Sequence, residues 1–399
     1  MKLSSVFLVT LCVSDVLLAQ PVPFGESPHD YWKRKPEDAV TQVVEKLREG
    51  KLDLNLTDEK GFLLALLKEL NIPVSSQLLV YSATSLQGGL IKATNPRALY
   101  FNEETYIGYV PGGRLELSSI DPEMGPVFQI LSRTQGGPPR VERTDRCMNC
   151  HAGNAMRRLP GFFTESVIPS AAGGSLDGFR RNLVGHTVPL EERFGGWHVT
   201  GPHEKQFPLA NLLGRSDGSK IVHIKNPPGS QFDWSPYPVQ TSDLLAHLVH
   251  EHQLEFHNLV TLAVYRAREK VDTGEINGIA RDMVRYLLFA NEAKLPSGGV
   301  KPDGTFMQDF LSAKKAAPDG TSLRDFDLRS RLFKHRCSYM IYTPGFQALP
   351  SVIKDRVYAG LRSALSDRGL PEFNYISPVE RKQIRTILKA TLPGLPTDF

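Results

Sequence analysis

The chain has 399 residues, of which 41% are hydrophobic and 23% are charged, as in globular proteins with a substantial core. Its length fits two or three domains. The formal net charge is +4 at pH 7, and the basic residues form no dense cluster. This mild, dispersed charge argues against nucleic acid as the main partner.

The first twenty residues have the pattern of an export signal. Lys2 precedes an apolar run from Val6 to Ala19, and a polar, proline-rich segment follows. These features are typical of a secretory signal peptide, although Asp15 within the run leaves a buried strand or helix as the alternative. The sequence therefore predicts a signal peptide at residues 1–20 and a periplasmic or secreted mature protein. No later stretch has the length of an integral membrane span.

Residues 21–76 are predicted to form an N-terminal helical segment. Its first helix begins at Pro36, carries apolar residues at helical spacing and ends at Gly50. Its second helix is predicted to have Thr57 as its N-cap and to end before Pro73.

The pattern then changes to β and later returns to α. Residues 77–215 contain short β-rich runs such as QLLVYS, RALYFN and PVFQILSR, separated by Gly, Pro and Asn as in an antiparallel sheet. Residues 216–240 lie in a stretch rich in Gly, Pro and Ser, and are predicted to be a linker. Residues 241–399 carry helical periodicity, in segments near 242–270, 274–291, 304–315, 350–367 and 377–391. The predicted fold class is α+β, with an antiparallel β domain before a mainly α-helical region.

One motif in the β-rich region indicates a cofactor. Cys147, Cys150 and His151 form the sequence C-x-x-C-H, which occurs once. A four-ligand zinc site would need a second paired motif, and a thioredoxin-like dithiol would not need the histidine. Covalent haem attachment uses all three residues, because the thiols bond to the vinyl groups and the imidazole binds the iron. We therefore predict one covalent haem c, with His151 as its proximal ligand.

The sixth ligand would decide the chemistry of this haem. Met or His in that position favours electron transfer, and an open position favours catalysis or ligand sensing. In the β-rich region His203 is the first candidate, and His198 and His186 are weaker ones. Partly solvated loop histidines are the alternative interpretation. Trp197 is predicted to pack on the haem edge, since a large indole suits a flat apolar ligand.

Two arginines precede the motif. Arg143 and Arg146 are candidates to pair with the haem propionates, because a guanidinium suits carboxylate groups. The alternative is that both are exposed and have no partner.

The segment SDLLAHLVHEHQLEFHNLV is predicted to be a histidine-rich helix. Its HEH sequence resembles the zinc-protease motif H-E-x-x-H, but Leu254 occupies the position of the second histidine. His247, His250, Leu254 and His257 share one face. One interpretation is a polar, partly buried face whose imidazoles bind neighbouring segments. The other is a lid over the haem, in which His252 or His257 supplies a proton or the distal ligand.

Several segments together resemble one protein family: PRALYFN, GYVPGG, DPEMGPVF, CMNCH, ERFGGWHVTG, EHQLEFHN and CSYMIYTPGFQALP. They are similar to a family of uncharacterised, exported bacterial proteins with a single cytochrome c signature, over roughly Leu79 to Phe399. The resemblance implies a periplasmic mono-haem protein and supplies no reaction. His198 departs from the family pattern, in which an aromatic residue follows the tryptophan. The positions that match histidines of the pattern are His186, His203, His252 and His257.

A fainter likeness concerns the fold alone. In sensor-type PAS folds that carry c-type haem, strands precede the haem motif and a Gly-Trp strand follows it, as they do here. This likeness predicts a PAS-like fold for the β-rich domain.

These features together predict a mono-haem redox protein that transfers electrons to or from an unknown partner protein. A haem enzyme acting on peroxide, oxygen or an organic substrate is the alternative, and a haem-based ligand sensor is a third class. A mono-haem carrier fits within one domain, so the helical region 241–399 suggests docking, regulation or a substrate pocket. No motif assigns a catalytic acid, base or radical-bearing residue, so the catalytic residues are unknown.

Overall fold

The computed structural model describes residues 22–52, 54, 58–133, 139–180, 184–201 and 207–399. The predicted signal peptide lies outside this part of the chain. Among the described residues, no helix has both the length and the apolar character needed to cross a membrane.

The helices of the described residues lie at both ends of the chain, and one short helix lies between them. They are α1 (Ala39–Arg48), α2 (Glu59–Glu69), α3 (Met148–His151), α4 (Leu244–Glu269), α5 (Thr273–Leu287), α6 (Phe306–Ser312), α7 (Pro344–Gln347), α8 (Ser351–Ala364) and α9 (Pro378–Thr391). Short 3-10 turns accompany them at Val74–Ser76, Asp145–Cys147, Asn154–Met156, Leu190–Glu192, Tyr339–Tyr342 and Pro371–Phe373.

The strands occupy the middle of the chain. They are β1 (Leu78–Val80), β2 (Arg97–Phe101), β3 (Thr105–Tyr109), β4 (Leu115–Asp121), β5 (Gly125–Ser132), β6 (Arg140–Glu142), β7 (Ser166–Pro169), β8 (Ser175–Arg180), β9 (Trp197–His198), β10 (Leu212–Asp217) and β11 (Lys220–Lys225). β1 to β6 pair in chain order as an antiparallel meander, and β9 joins at β1. β7–β8 and β10–β11 form two further antiparallel pairs. The predicted α+β class is confirmed, whereas the likeness to PAS folds stays a prediction.

The large sheet is buried on both faces. Successive residues of a strand point to opposite faces, so Tyr100 and Ile107 lie on one face, and Phe101 and Tyr106 lie on the other. The first face packs against apolar residues of α1 and α2. The second face belongs to a core that continues into the helices of the C-terminal half. The described helical half is therefore packed directly against the sheet.

Helix α4 explains this shared core. It begins at the N-cap Asp243, whose carboxylate accepts a hydrogen bond from the Leu245 amide, and it ends at Lys270 in a left-handed conformation. Most of its residues are buried, because the sheet and other helices surround it. A single core thus crosses the predicted boundary at residue 241.

The predicted linker 216–240 is part of the packed structure. It contains the end of β10 and the whole of β11. Phe232 and Tyr237 are buried in the core beside α1 and α2, and the Tyr237 hydroxyl donates a hydrogen bond to the Pro96 carbonyl at 2.7 Å. The Gly, Pro and Ser residues of this segment form turns between these contacts.

Candidate haem site

The cysteine motif lies directly after β6. Thr144 accepts a hydrogen bond from the Arg146 amide and begins a 3-10 turn, which continues into α3. Cys150 and His151 follow Cys147 by three and four residues. One helical turn therefore brings both side chains to the same side as Cys147. Neither cysteine is in a disulfide; Cys147 is buried and Cys150 is exposed.

The His151 imidazole is held in one orientation. Its Nδ1 donates a hydrogen bond to the Gly161 carbonyl at 2.9 Å, and a carbonyl only accepts, so Nδ1 carries the proton. Burial lowers the pKa of His151 to about 4, and the ring is therefore neutral near pH 7. Its Nε2 makes no hydrogen bond within the described residues. A neutral ring with one nitrogen bonded and the other available is the usual form of a histidine metal ligand.

The segment that accepts this hydrogen bond is itself fixed. The Gly161 amide donates to the His151 carbonyl at 2.8 Å, which closes the loop between the two residues. The Asn258 side chain of α4 bonds to both the amide and the carbonyl of Phe162. A Cβ at Gly161 would lie 2.9 Å from Asn258 Oδ1 and 3.0 Å from Met156 Sδ, so the close packing favours glycine.

The three motif residues line one cavity of about 420 Å³, a volume within the range of small-molecule sites. Most of its wall is aromatic and aliphatic, which suits a flat apolar ligand. The Phe128 ring lies 4.0 Å from the His151 ring, between centroids, and the Phe163 ring lies at 5.1 Å. Apolar side chains of the wall come from the sheet, from the segment after the motif and from α4: Val80, Leu99, Tyr106, Phe128, Ile130, Phe162, Phe163, Trp197 and Leu254.

The polar side chains of the same wall include a charged pair. Arg97 Nη2 lies 2.7 Å from Glu116 Oε2, and Glu116 also accepts hydrogen bonds from Ser85 and Gln87. Burial alone would raise the pKa of Glu116, but the Arg97 guanidinium and these hydrogen bonds outweigh burial and lower it. The Arg97 side chain passes over Gly108, where a Cβ would lie 2.8 Å from Arg97 Nε. The glycine in β3 thus makes room for the arginine.

Trp197 and Arg146 line the cavity together with the motif residues. The Trp197 indole is buried and donates a hydrogen bond to the Glu165 carbonyl at 3.0 Å. Arg146 is exposed. Cys150 is also exposed and lines the cavity. The cavity therefore opens to the surface beside Arg146 and Cys150.

Arg143 lies elsewhere, which corrects its expected role beside the haem. Its guanidinium donates to the carbonyls of Tyr31 at 2.8 Å and Arg34 at 3.2 Å. It also lies over the rings of Tyr31 and Trp32. Arg143 therefore fastens the segment before α1 to the sheet.

Of the distal candidates of the β-rich region, His198 also needs a correction, and the role of His203 stays a prediction. His203 lies outside the described residues. Trp197 and His198 are neighbours in β9, so they point to opposite faces of the sheet, and only Trp197 reaches the cavity. His198 instead packs between the rings of Tyr81 and Phe232.

His186 and the two lid candidates of α4 also lie off the cavity wall. His186 Nδ1 lies 2.9 Å from His252 Nδ1, and His252 Nε2 lies 2.7 Å from Ser338 Oγ. His257 Nε2 donates to the Glu103 carbonyl at 2.7 Å. Burial lowers the pKa of His252 to about 3 and that of His257 to about 4, so both are neutral. The structure thus gives these imidazoles hydrogen-bond partners in neighbouring segments.

A different histidine of α4 reaches the cavity. His250 lines the wall together with Leu254, one turn further along the helix. It lies two residues before His252, a rotation of about 200°, and therefore points to the other side of α4. The sequence placed His250 and Leu254 on one face but did not reveal that this face would meet the cavity.

Comparisons with protein-family models, with curated proteins and with solved structures gave no match. The resemblance to exported mono-haem proteins therefore stays a prediction from the sequence. Among the described residues, no group of three or more His, Cys, Asp or Glu side chains is arranged to hold a metal ion. A haem needs only one or two protein ligands for its iron, so this absence concerns other kinds of metal site.

Proposed function

We propose that the protein is a mono-haem c-type redox protein that acts outside the cytoplasm and transfers electrons to or from a partner protein. The observation that supports this most strongly is the shared cavity of Cys147, Cys150 and His151. In this proposal the two thiols bond to the haem vinyl groups and His151 Nε2 binds the iron.

The residues of the cavity fit this cofactor. Both motif thiols are outside any disulfide, and the His151 ring is neutral with its Nδ1 proton held by Gly161. The wall is largely apolar, as a porphyrin requires, and its charged pair Arg97 and Glu116 contributes no net charge. When bound, the haem supplies a one-electron couple, and the protein sets its potential through ligands, hydrogen bonds and burial.

The opening of the cavity suits electron transfer. Cys150 and Arg146 are exposed and border the cavity, so one edge of a haem attached there would lie near the surface. A partner protein needs to approach only this edge to exchange an electron. The buried aromatic side chains of the wall would exclude water from the rest of the haem. Arg146 is also a suitable partner for a propionate at the opening.

The helical region has a direct role in this proposal. Leu254 of α4 forms part of the cavity wall. Asn258 of the same helix holds the segment beside His151. The region after residue 241 therefore completes the site, and this gives one reason for the length of the chain.

The experiment is expression in a host with haem-maturation machinery, followed by a pyridine haemochrome spectrum and acid-acetone extraction. We expect one c-type haem that resists extraction and is reversibly reduced by one electron. Loss of all haem on extraction would disprove the cofactor. Rapid reaction of the haem with peroxide would contradict simple electron transfer and favour the enzyme interpretation.

A further inference from the structure

His250 and His151 lie on the same cavity but contact different rings. His151 packs on Phe128, whereas His250 packs against Phe101 at 5.1 Å and Tyr106 at 5.8 Å, between ring centroids. Three rings connect the two positions, because Phe162 lies 5.7 Å from Phe128 and 4.7 Å from Tyr106. The two imidazoles thus stand at the two ends of one aromatic wall.

His250 also differs from the other histidines of α4 in its hydrogen bonds. His247 Nε2 lies 3.1 Å from Ser242 Oγ and 3.0 Å from the His198 carbonyl, and His252 and His257 have the partners given above. His250 makes no hydrogen bond within the described part of the chain. Neither ring nitrogen of His250 is among the fully enclosed polar atoms that lack a partner, so both border open space.

The cavity is the space that the unpartnered ring can reach. The residue is only 4% exposed, and it lines the cavity that also contains the motif residues. The rings of Phe101 and Tyr106 hold the imidazole edgewise from the side of the sheet. An imidazole that is fixed, buried and without a protein partner is prepared to bind a metal.

We propose that His250 is the sixth ligand of the haem iron. This assignment rests on the proposed function, since it requires a haem bound at His151. In this assignment His250 would supply a second protein ligand to the iron through the lone pair of one ring nitrogen, and no bond of the protein would break. The result is a haem with two histidine ligands, which is low-spin and suited to electron transfer.

The test measures the spin state of the ferric protein by absorption, electron paramagnetic resonance and near-infrared magnetic circular dichroism. We expect a low-spin spectrum of the bis-histidine type in the wild-type protein. A wild-type spectrum that is high-spin or of the His/Met type would overturn the assignment, even if no variant can be purified. Complete absence of covalent haem would overturn the proposed function together with the assignment.

Variants identify the residue. We expect His250→Ala to keep its covalent haem, to become predominantly high-spin and to return to low spin when imidazole is added. The matched control is His257→Ala, from the same helix, which is expected to stay low-spin. A low-spin His250→Ala protein, with His203→Ala high-spin instead, would overturn the assignment and leave haem attachment intact. Circular dichroism of each variant verifies that the helices are retained.

Discussion

Asn258 holds the backbone of Phe162 with both ends of its side-chain amide. Nδ2 donates to the Phe162 carbonyl at 2.9 Å, and Oδ1 accepts from the Phe162 amide at 2.8 Å. Phe162 follows Gly161, whose carbonyl orients His151. A residue of the helical region thus fixes the segment that orients the His151 imidazole.

Substitution of Asn258 should therefore affect both stability and the haem. Asn258→Ala leaves two backbone groups of a buried segment without partners, which should cost about 1–3 kcal/mol for each group left unpaired. Chemical denaturation measures the loss, and an altered electron paramagnetic resonance spectrum would report movement of His151. The control is Asn149→Ala, an exposed position within the motif. Equal stability of the two variants would contradict this role for Asn258.

A cysteine series tests the mode of attachment. We expect the double variant Cys147→Ser/Cys150→Ser to have no covalent haem, because both bonds to the vinyl groups are lost. Each single variant should keep one bond and show a shifted haemochrome spectrum. Haem staining after denaturing electrophoresis distinguishes these cases.

The control of the series is Cys337→Ser. Cys337 is fully buried away from the cavity, and burial raises the pKa of its thiol to about 12. Its substitution should lower stability but leave covalent haem unchanged. Haem retained in the double variant, or lost from this control, would contradict attachment at the motif.

The pair Arg97 and Glu116 should tune the reduction potential in opposite directions. Oxidation adds a positive charge to the haem, which a nearby cation opposes and a nearby carboxylate favours. Arg97→Gln should therefore lower the potential and Glu116→Gln should raise it, by tens of millivolts. The double substitution removes both charges and should give a value near that of the wild type. Redox titration checks this, and shifts of the same sign in both single variants would refute it.

Glu104 provides a pH-dependent prediction at a distance from the motif. Burial raises its pKa from 4.5 to about 7, more than the hydrogen bond from the Gly345 amide lowers it. Between these pH values the Glu104 carboxyl is ionised in the unfolded chain and protonated in the folded protein. The free energy of unfolding therefore falls as pH rises, by at most ~1.4 kcal/mol per pH unit from this group.

Glu104→Gln removes this dependence. Its stability relative to the wild type should rise as the pH is raised from 4.5 to about 7 and should be constant above that value. Urea unfolding at several pH values measures the difference between the two proteins. The exposed Glu191→Gln serves as the control. A pH-independent difference between Glu104→Gln and the wild type would show that folding does not raise the pKa of Glu104.

The sequence predicted what short segments determine. Helix α4 was expected near 242–270 and occurs at Leu244–Glu269, because caps and apolar spacing are local signals. Trp197 and His198 were both expected beside the haem, but as neighbours in β9 they point to opposite faces of the sheet, and only Trp197 lines the cavity. Residues of distant segments that reach the cavity were harder to predict from the sequence. Which face of α4 meets the cavity depends on how the helix packs. The position of His250 on the cavity wall follows only from the packing of α4 against the sheet.

The linker shows a second limit of sequence patterns. A stretch of Gly, Pro and Ser predicts turns, but it does not tell whether the residues between the turns are buried. Phe232 and Tyr237 pack beside α1 and α2, which come much earlier in the chain. Such distant contacts carry no local signature.

In the proposed haem protein, the wall supplied by α4 would also set an order of events during maturation. Haem attachment needs only the short CMNCH segment, whereas His250 lies on a helix that follows much later in the chain. A chain with haem attached but α4 undocked would bind the iron through His151 alone. Docking of α4 would then convert the haem to low spin, so the colour of the cofactor would report the moment at which the two halves of the protein join.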